Sequence, residues 1–121
     1  MVYTKFGEYF KILRIKHNEV LGDAKKFLNV SSAFISSVEC GKKSIPEDWY
    51  LKIVEHYNLN EKEQIELQNA IDMSKKQIKI DLSNATNLQK NVCLQFQRSF
   101  NEVDDETLKE IQNLLKRRDI K

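Results

Sequence analysis

Through the first seventy residues the apolar positions recur at the three- and four-residue steps of amphipathic helices, and five such segments can be marked off. Phe6, Phe10 and Leu13, with Tyr9 and Ile12 beside them, stripe the first. A second runs from about Val20 to Leu28 and a third from about Ser32 to Cys40. The fourth opens at Pro46, a residue the first helical turn tolerates. Glu47 and Asp48 follow at its positive end, then an apolar face of Trp49, Tyr50, Ile53, Val54 and Tyr57. Asn60 with Glu63 has the spacing of a capping box and starts a fifth helix carrying Ile65, Leu67, Ala70 and Ile71.

Beyond about residue 73 the period changes. Residues 77 to 82 (Gln-Ile-Lys-Ile-Asp-Leu) alternate polar and apolar, which is the pattern of a strand. Residues 83 to 87 are polar and turn-like. Leu88, Val92, Phe96 and Phe100 then step by four, and Leu108, Ile111, Leu114 and Leu115 mark a last helix after Asp104 and Asp105. There is no internal repeat and no low-complexity segment. The expected architecture is mainly α: a five-helix domain over residues 1–73, then a dimerisation or interaction segment over 77–121 made of a short strand and a helical hairpin. Ile78, Ile80 and Leu82 form one edge of that strand. No second strand is available to pair with it, so the same strand of a second subunit is the expected partner; an extended linker is the alternative. The stripes marked by Phe96, Phe100, Leu108, Ile111 and Leu115, assigned to dimerisation, are expected to pack on the other subunit or on the first domain.

The densest local signal is residues 28 to 43, LNVSSAFISSVECGKK. Leu28 closes one apolar stripe. Asn29 follows, one of the few non-glycine residues that visits the left-handed region at modest cost. Val30 puts an apolar side chain inside the turn, and Ser31 can cap the next helix through its hydroxyl. Phe34, Ile35 and Val38 follow at helical spacing, and Gly41 sits where a helix C-cap belongs. Two helices joined by so short a packed turn make a helix-turn-helix.

This stretch resembles the helix-turn-helix of the Xre, or Cro/cI-like, family of bacterial and phage regulators. The likeness covers roughly residues 6 to 72 and is most specific between Val30 and Gly41. It implies a sequence-specific duplex-DNA-binding regulator, a repressor acting as a homodimer on a palindromic operator. Carried over residue by residue, it assigns base reading to Ser32, Ala33, Ser36 and Ser37, and phosphate binding to Ser31, Lys42 and Lys43. It also assigns a structural ion pair to Arg14 and Glu39. The chemistry supports that pair, because a glutamate near a helix C-terminus is unfavourable unless a cation offsets it. Two positions depart from the family pattern. Lys25 stands where a small residue usually lets the second and third helices cross, and Val20 and Leu21 stand where polar residues usually face phosphate.

Composition narrows the alternatives. At 121 residues the chain is one domain, or one domain plus an oligomerising appendage, and 40% apolar with 31% charged residues suits a folded globular protein. A formal net charge of only +2 excludes a uniformly basic nucleic-acid coat and leaves room for a local basic face. Cys40 and Cys93 make no disulfide framework, and neither they nor His17 and His56 show metal-ligand spacing. No metal, no cofactor and no enzymatic motif is expected. With no signal peptide or long apolar run, the expectation is a cytoplasmic protein with no membrane contact. The competing function is an antitoxin- or antirepressor-type interaction module whose C-terminal half holds a partner protein.

Overall fold

The computed structural model describes residues 2–117. Among them are seven helices: α1 (Lys5–Lys16), α2 (Leu21–Leu28), α3 (Ser32–Glu39), α4 (Trp49–Tyr57), α5 (Glu61–Met73), α6 (Asn87–Ser99) and α7 (Asp105–Lys116). They fall into two compact units, one ending at Ile78 and the other beginning at Lys79. The expectation of a mainly helical protein holds. Residues 118–121 of the expected C-terminal segment lie outside the described residues.

The expected strand is absent. Residues 77–82 form no strand, and Ile78 and Ile80 are 84% and 64% exposed. Alternation decides which side chains share a face, but a strand is held by hydrogen bonds to a neighbour. No strand is present among the described residues to supply them. The segment ends in a tight turn instead, where Ser83 donates from both its N–H and its hydroxyl to Asp81 Oδ1 (2.9 and 2.6 Å) and Ala85 N–H donates to the Leu82 carbonyl.

Local chemistry sets the helix ends of the first unit. Thr4 Oγ1 accepts from Gly7 N–H and starts α1. Val20 has no side-chain acceptor to offer α2, so Asp23 reaches back and accepts its N–H at 2.8 Å. Asn29 (φ 56°) and Asn58 (φ 50°) end α2 and α4 in the left-handed conformation. Ser31 accepts from Phe34 N–H at 3.1 Å and caps α3, and Gly41 (φ 79°) follows its end. Helix α4 begins three residues later than its proline predicts. Pro46 opens a separate turn, closed by Trp49 N–H donating to the Pro46 carbonyl. Asn60 and Glu63 form the reciprocal capping box of α5.

The core of this unit is built around Trp49, whose ring lies 6.0 Å from Phe6, 6.2 Å from Phe10 and 6.0 Å from Phe34. Leu13, Leu28, Ile35, Val38, Ile53, Leu67 and Ile71 close it. The small side chain that α2 buries is Ala24, while Lys25 is exposed, so the lysine is not wedged into a helix crossing.

Helix α3 is anchored to α1 through one residue. The Glu39 carbonyl accepts from both Thr4 N–H (2.9 Å) and Thr4 Oγ1 (3.0 Å). Gly7 packs so closely beneath that carbonyl that a Cβ there would overlap it. The Glu39 side chain turns inward and meets Arg14 Nη1 at 2.9 Å, both groups buried. The start of α1 is tied in turn to the end of α5, where Ser74 Oγ accepts from Phe6 N–H and donates to the Ala70 carbonyl.

In the second unit Thr86 and Gln89 cap α6 reciprocally, and Asp104 accepts from Thr107 N–H to cap α7. Neither helix contains a buried residue.

Candidate nucleic-acid interface

Helix α3 has two chemically distinct sides. Ile35, Val38 and Glu39 are buried. Ser32, Ala33, Ser36 and Ser37 lie together on the opposite arc, as the 100° turn per residue requires; Ala33 is exposed and the three serines are half-buried. Half-buried Cys40 lies on the same arc. Because Glu39 faces Arg14, no charged side chain of α3 is left on its outer side.

Cations flank this neutral face. Past Gly41 the chain doubles back, with Lys42 and Lys43 N–H groups both donating to the Ser37 carbonyl (2.8 and 3.2 Å). Their side chains project beside the end of α3 and are exposed. At its start, exposed Ser31 forms part of a shallow groove with Gly22, Lys25, Lys26, Asn29 and Val30. None of Lys25, Lys26, Lys42 and Lys43 makes an ion pair among the described residues. Lys52, by contrast, is held by Asp48 at 2.9 Å, a hydrogen bond that keeps the Asp48 carboxyl below its ordinary range.

Sequence reasoning overlooked Lys25 and Lys26 as candidates, treating the first only as a departure from a pattern. The signal was present: both lie in the last turn of a helix, where cations are favoured, and the left-handed turn at Asn29 brings Ser31 back beside them.

A second cluster was also overlooked. Glu19 accepts from Tyr57 Oη at 2.8 Å and stands 2.9 Å from His56 Nε2, while the His56 ring stacks flat on Phe27 at 3.8 Å. It fastens the α1–α2 turn, α2 and the end of α4 to one another. Burial and the Glu19 carboxylate push the Tyr57 hydroxyl well above its ordinary pKa. Tyr9, bonded to the Glu63 carbonyl and the Glu66 carboxylate, is pushed up to about 12, first by burial.

The residues expected to mediate dimerisation are not brought into any buried cluster. Ile78 and Ile80 are exposed on the extended segment, with Leu82 half-buried at its end. Phe96, Phe100 and Leu115 are exposed, and Leu108 and Ile111 half-buried. Among the described residues no group of His, Cys, Asp and Glu is placed to hold a metal ion, and no helix is long and apolar enough to cross a membrane.

Comparison with protein-family models, with curated proteins and with solved structures returned no match for this chain.

Proposed function

We propose that this chain is a transcriptional regulator, a repressor that reads duplex DNA with α3. The observation that carries the reading is the uncharged serine–alanine face of α3 set between two pairs of lysines that make no ion pair among the described residues, with the helix's only carboxylate turned inward. A carboxylate on that face would meet phosphate repulsively. Lysines beside a helix that enters a groove neutralise phosphates, and this supplies most of the affinity. Serine hydroxyls donate and accept alike, so they discriminate bases less sharply than Arg, Asn or Gln. Part of the sequence preference then comes from DNA shape.

The experiment is a duplex-binding titration across salt concentrations, on a site selected from a random library. Each lysine that reaches a phosphate contributes about one unit to the slope of log affinity against log salt. The Lys42→Ala/Lys43→Ala and Lys25→Ala/Lys26→Ala pairs should each flatten that slope by about two and weaken specific and non-specific binding alike. Ser32→Ala with Ser36→Ala should relax sequence preference, by roughly 1–3 kcal/mol per base read, and leave the slope unchanged. Unchanged affinity and slope in both lysine variants would remove α3 from the interface.

The interaction-module reading draws on a different observation, the uncovered apolar side chains of α6 and α7. It becomes the better account if the folded chain gives no duplex shift even at low salt.

A further inference from the structure

We propose that Lys76, just beyond the end of α5, binds a DNA phosphate beside Lys42 and Lys43, so that the DNA surface crosses from α3 onto the segment that leaves α5. The inference rests on α3 as the reading helix and adds a contact from a distant part of the chain. Two sets of hydrogen bonds bring Lys76 to the end of α3. The Glu39 carbonyl accepts from Thr4 N–H and Thr4 Oγ1 at 2.9 and 3.0 Å, which fixes the start of α1 there. Phe6 N–H then donates to Ser74 Oγ at 2.9 Å, and the Ser74 hydroxyl donates to the Ala70 carbonyl at 2.7 Å. The end of α5 is thereby held at the same corner. Lys76 follows Ser74 closely, and its Cε lies 4.0 Å from the point where a Cβ on Gly41 would stand. Gly41 is the residue immediately before Lys42 and Lys43.

Charge selects the partner. Lys76 is exposed and, like Lys42 and Lys43, makes no ion pair among the described residues. The adjoining Lys75 behaves differently, since its Nζ stands 3.4 Å from Asp72 Oδ1. The carboxylate at the end of α3, Glu39, is buried against Arg14 and offsets none of the three. Ammonium groups gathered at one corner repel one another, and an anion that spans them relieves that repulsion. All three side chains are exposed, so a small anion would meet only solvated ammonium groups. A phosphate backbone passes several of them at once and releases a counterion at each. A lysine also suits phosphate without a fixed approach angle, being a point charge on a flexible stem.

The test is a salt titration of the full chain on a selected duplex and on a random one. Lys76→Gln keeps most of the stem over Gly41 and removes the charge. Its slope of log affinity against log salt should be shallower by about 0.9, so a tenfold rise in salt should weaken it about eightfold less than it weakens the wild type. Its affinity for the selected and the random duplex should fall by the same factor. Lys76→Arg should restore the wild-type slope, and Lys75→Gln, which removes a lysine already paired, should keep it. Urea unfolding should be the same for all three variants, which separates a lost contact from a damaged fold. A Lys76→Gln slope equal to that of the wild type, or an equal flattening in Lys75→Gln, overturns the contact. If the slope then still responds to Lys42→Ala/Lys43→Ala, α3 stands as the reading helix and this inference alone fails. A wild-type chain that shifts no duplex at low salt overturns both.

Discussion

Arg14 and Glu39 sit 25 positions apart; it is the family resemblance that pairs them in sequence, and the helix-end position of Glu39 says only why a cation is wanted there. In the fold the pair does more than offset that charge. Both groups are buried at 2.9 Å, and Arg14 also lies over the Phe10 ring at 4.8 Å. Removing one partner leaves the other charge uncompensated in the interior, which typically costs 3–5 kcal/mol. Arg14→Ala and Glu39→Ala are therefore each expected to destabilise strongly, and the double variant by much less than their sum. A double-mutant cycle from urea unfolding should return a coupling of about 0.5–3 kcal/mol. The Glu19–His56–Tyr57 cluster had no comparable signal, since its members come from a turn and a distant helix end; Glu19 and His56 are ordinary surface residues in sequence, and Tyr57 reads only as part of the apolar face of α4. Its signature is alkaline. Tyr57 has a raised folded pKa against an ordinary value of 10.0, so its stabilisation is complete below pH 10 and lost as pH rises toward the folded value. Tyr57→Phe should cost about 0.5–1.5 kcal/mol at neutral pH, and its unfolding free energy should converge on that of the wild type above pH 10.

The helix boundaries that were legible are those fixed by a side chain acting on its own neighbourhood: the left-handed Asn29, the Ser31 cap, Gly41 after α3 and the Asn60–Glu63 box. Those that were misread depend on partners elsewhere. Pro46 satisfies the rule for a first helical turn but closes a turn of its own, and the residues from Gln77 to Leu82 have a strand's alternation without a strand's neighbour. Gly7 belongs to the second kind. Nothing in sequence marks it, yet it sets how closely α1 approaches the end of α3. Alanine is the better helix former by about 1 kcal/mol in an exposed helix, so Gly7→Ala would be stabilising on propensity alone. The contact decides otherwise. A methyl group there meets the Glu39 backbone, which is held by two hydrogen bonds from Thr4 and has little room to give. The variant should lose roughly 1–3 kcal/mol on denaturant unfolding. A gain in stability would mean that α1 and α3 separate freely.

The first unit has a buried core and carries the proposed reading surface, while among the described residues of the second none is buried and several apolar side chains are exposed. The unpartnered strand pattern and the uncovered helical stripes pointed in sequence to association. In the structure residues 77 to 82 form no strand, and the apolar side chains of α6 and α7 stay exposed. If a second copy covers α6 and α7, the assembly holds two α3 helices, and a palindromic operator with half-sites about one DNA turn apart is the matching target. Linking two weak readers makes the second engagement intramolecular and can raise apparent affinity by 10²–10⁴ without a new contact. A Phe96→Asp/Phe100→Asp variant separates this effect from direct contact, because its substitutions lie outside the reading surface. Measured by fluorescence anisotropy at fixed salt, its affinity for a single half-site should equal that of the wild type, while its affinity for the intact palindrome should fall by a factor in that range. An equal loss on both sites would instead mean that α6 touches DNA itself. No loss on the palindrome would mean that each chain reads its half-site alone.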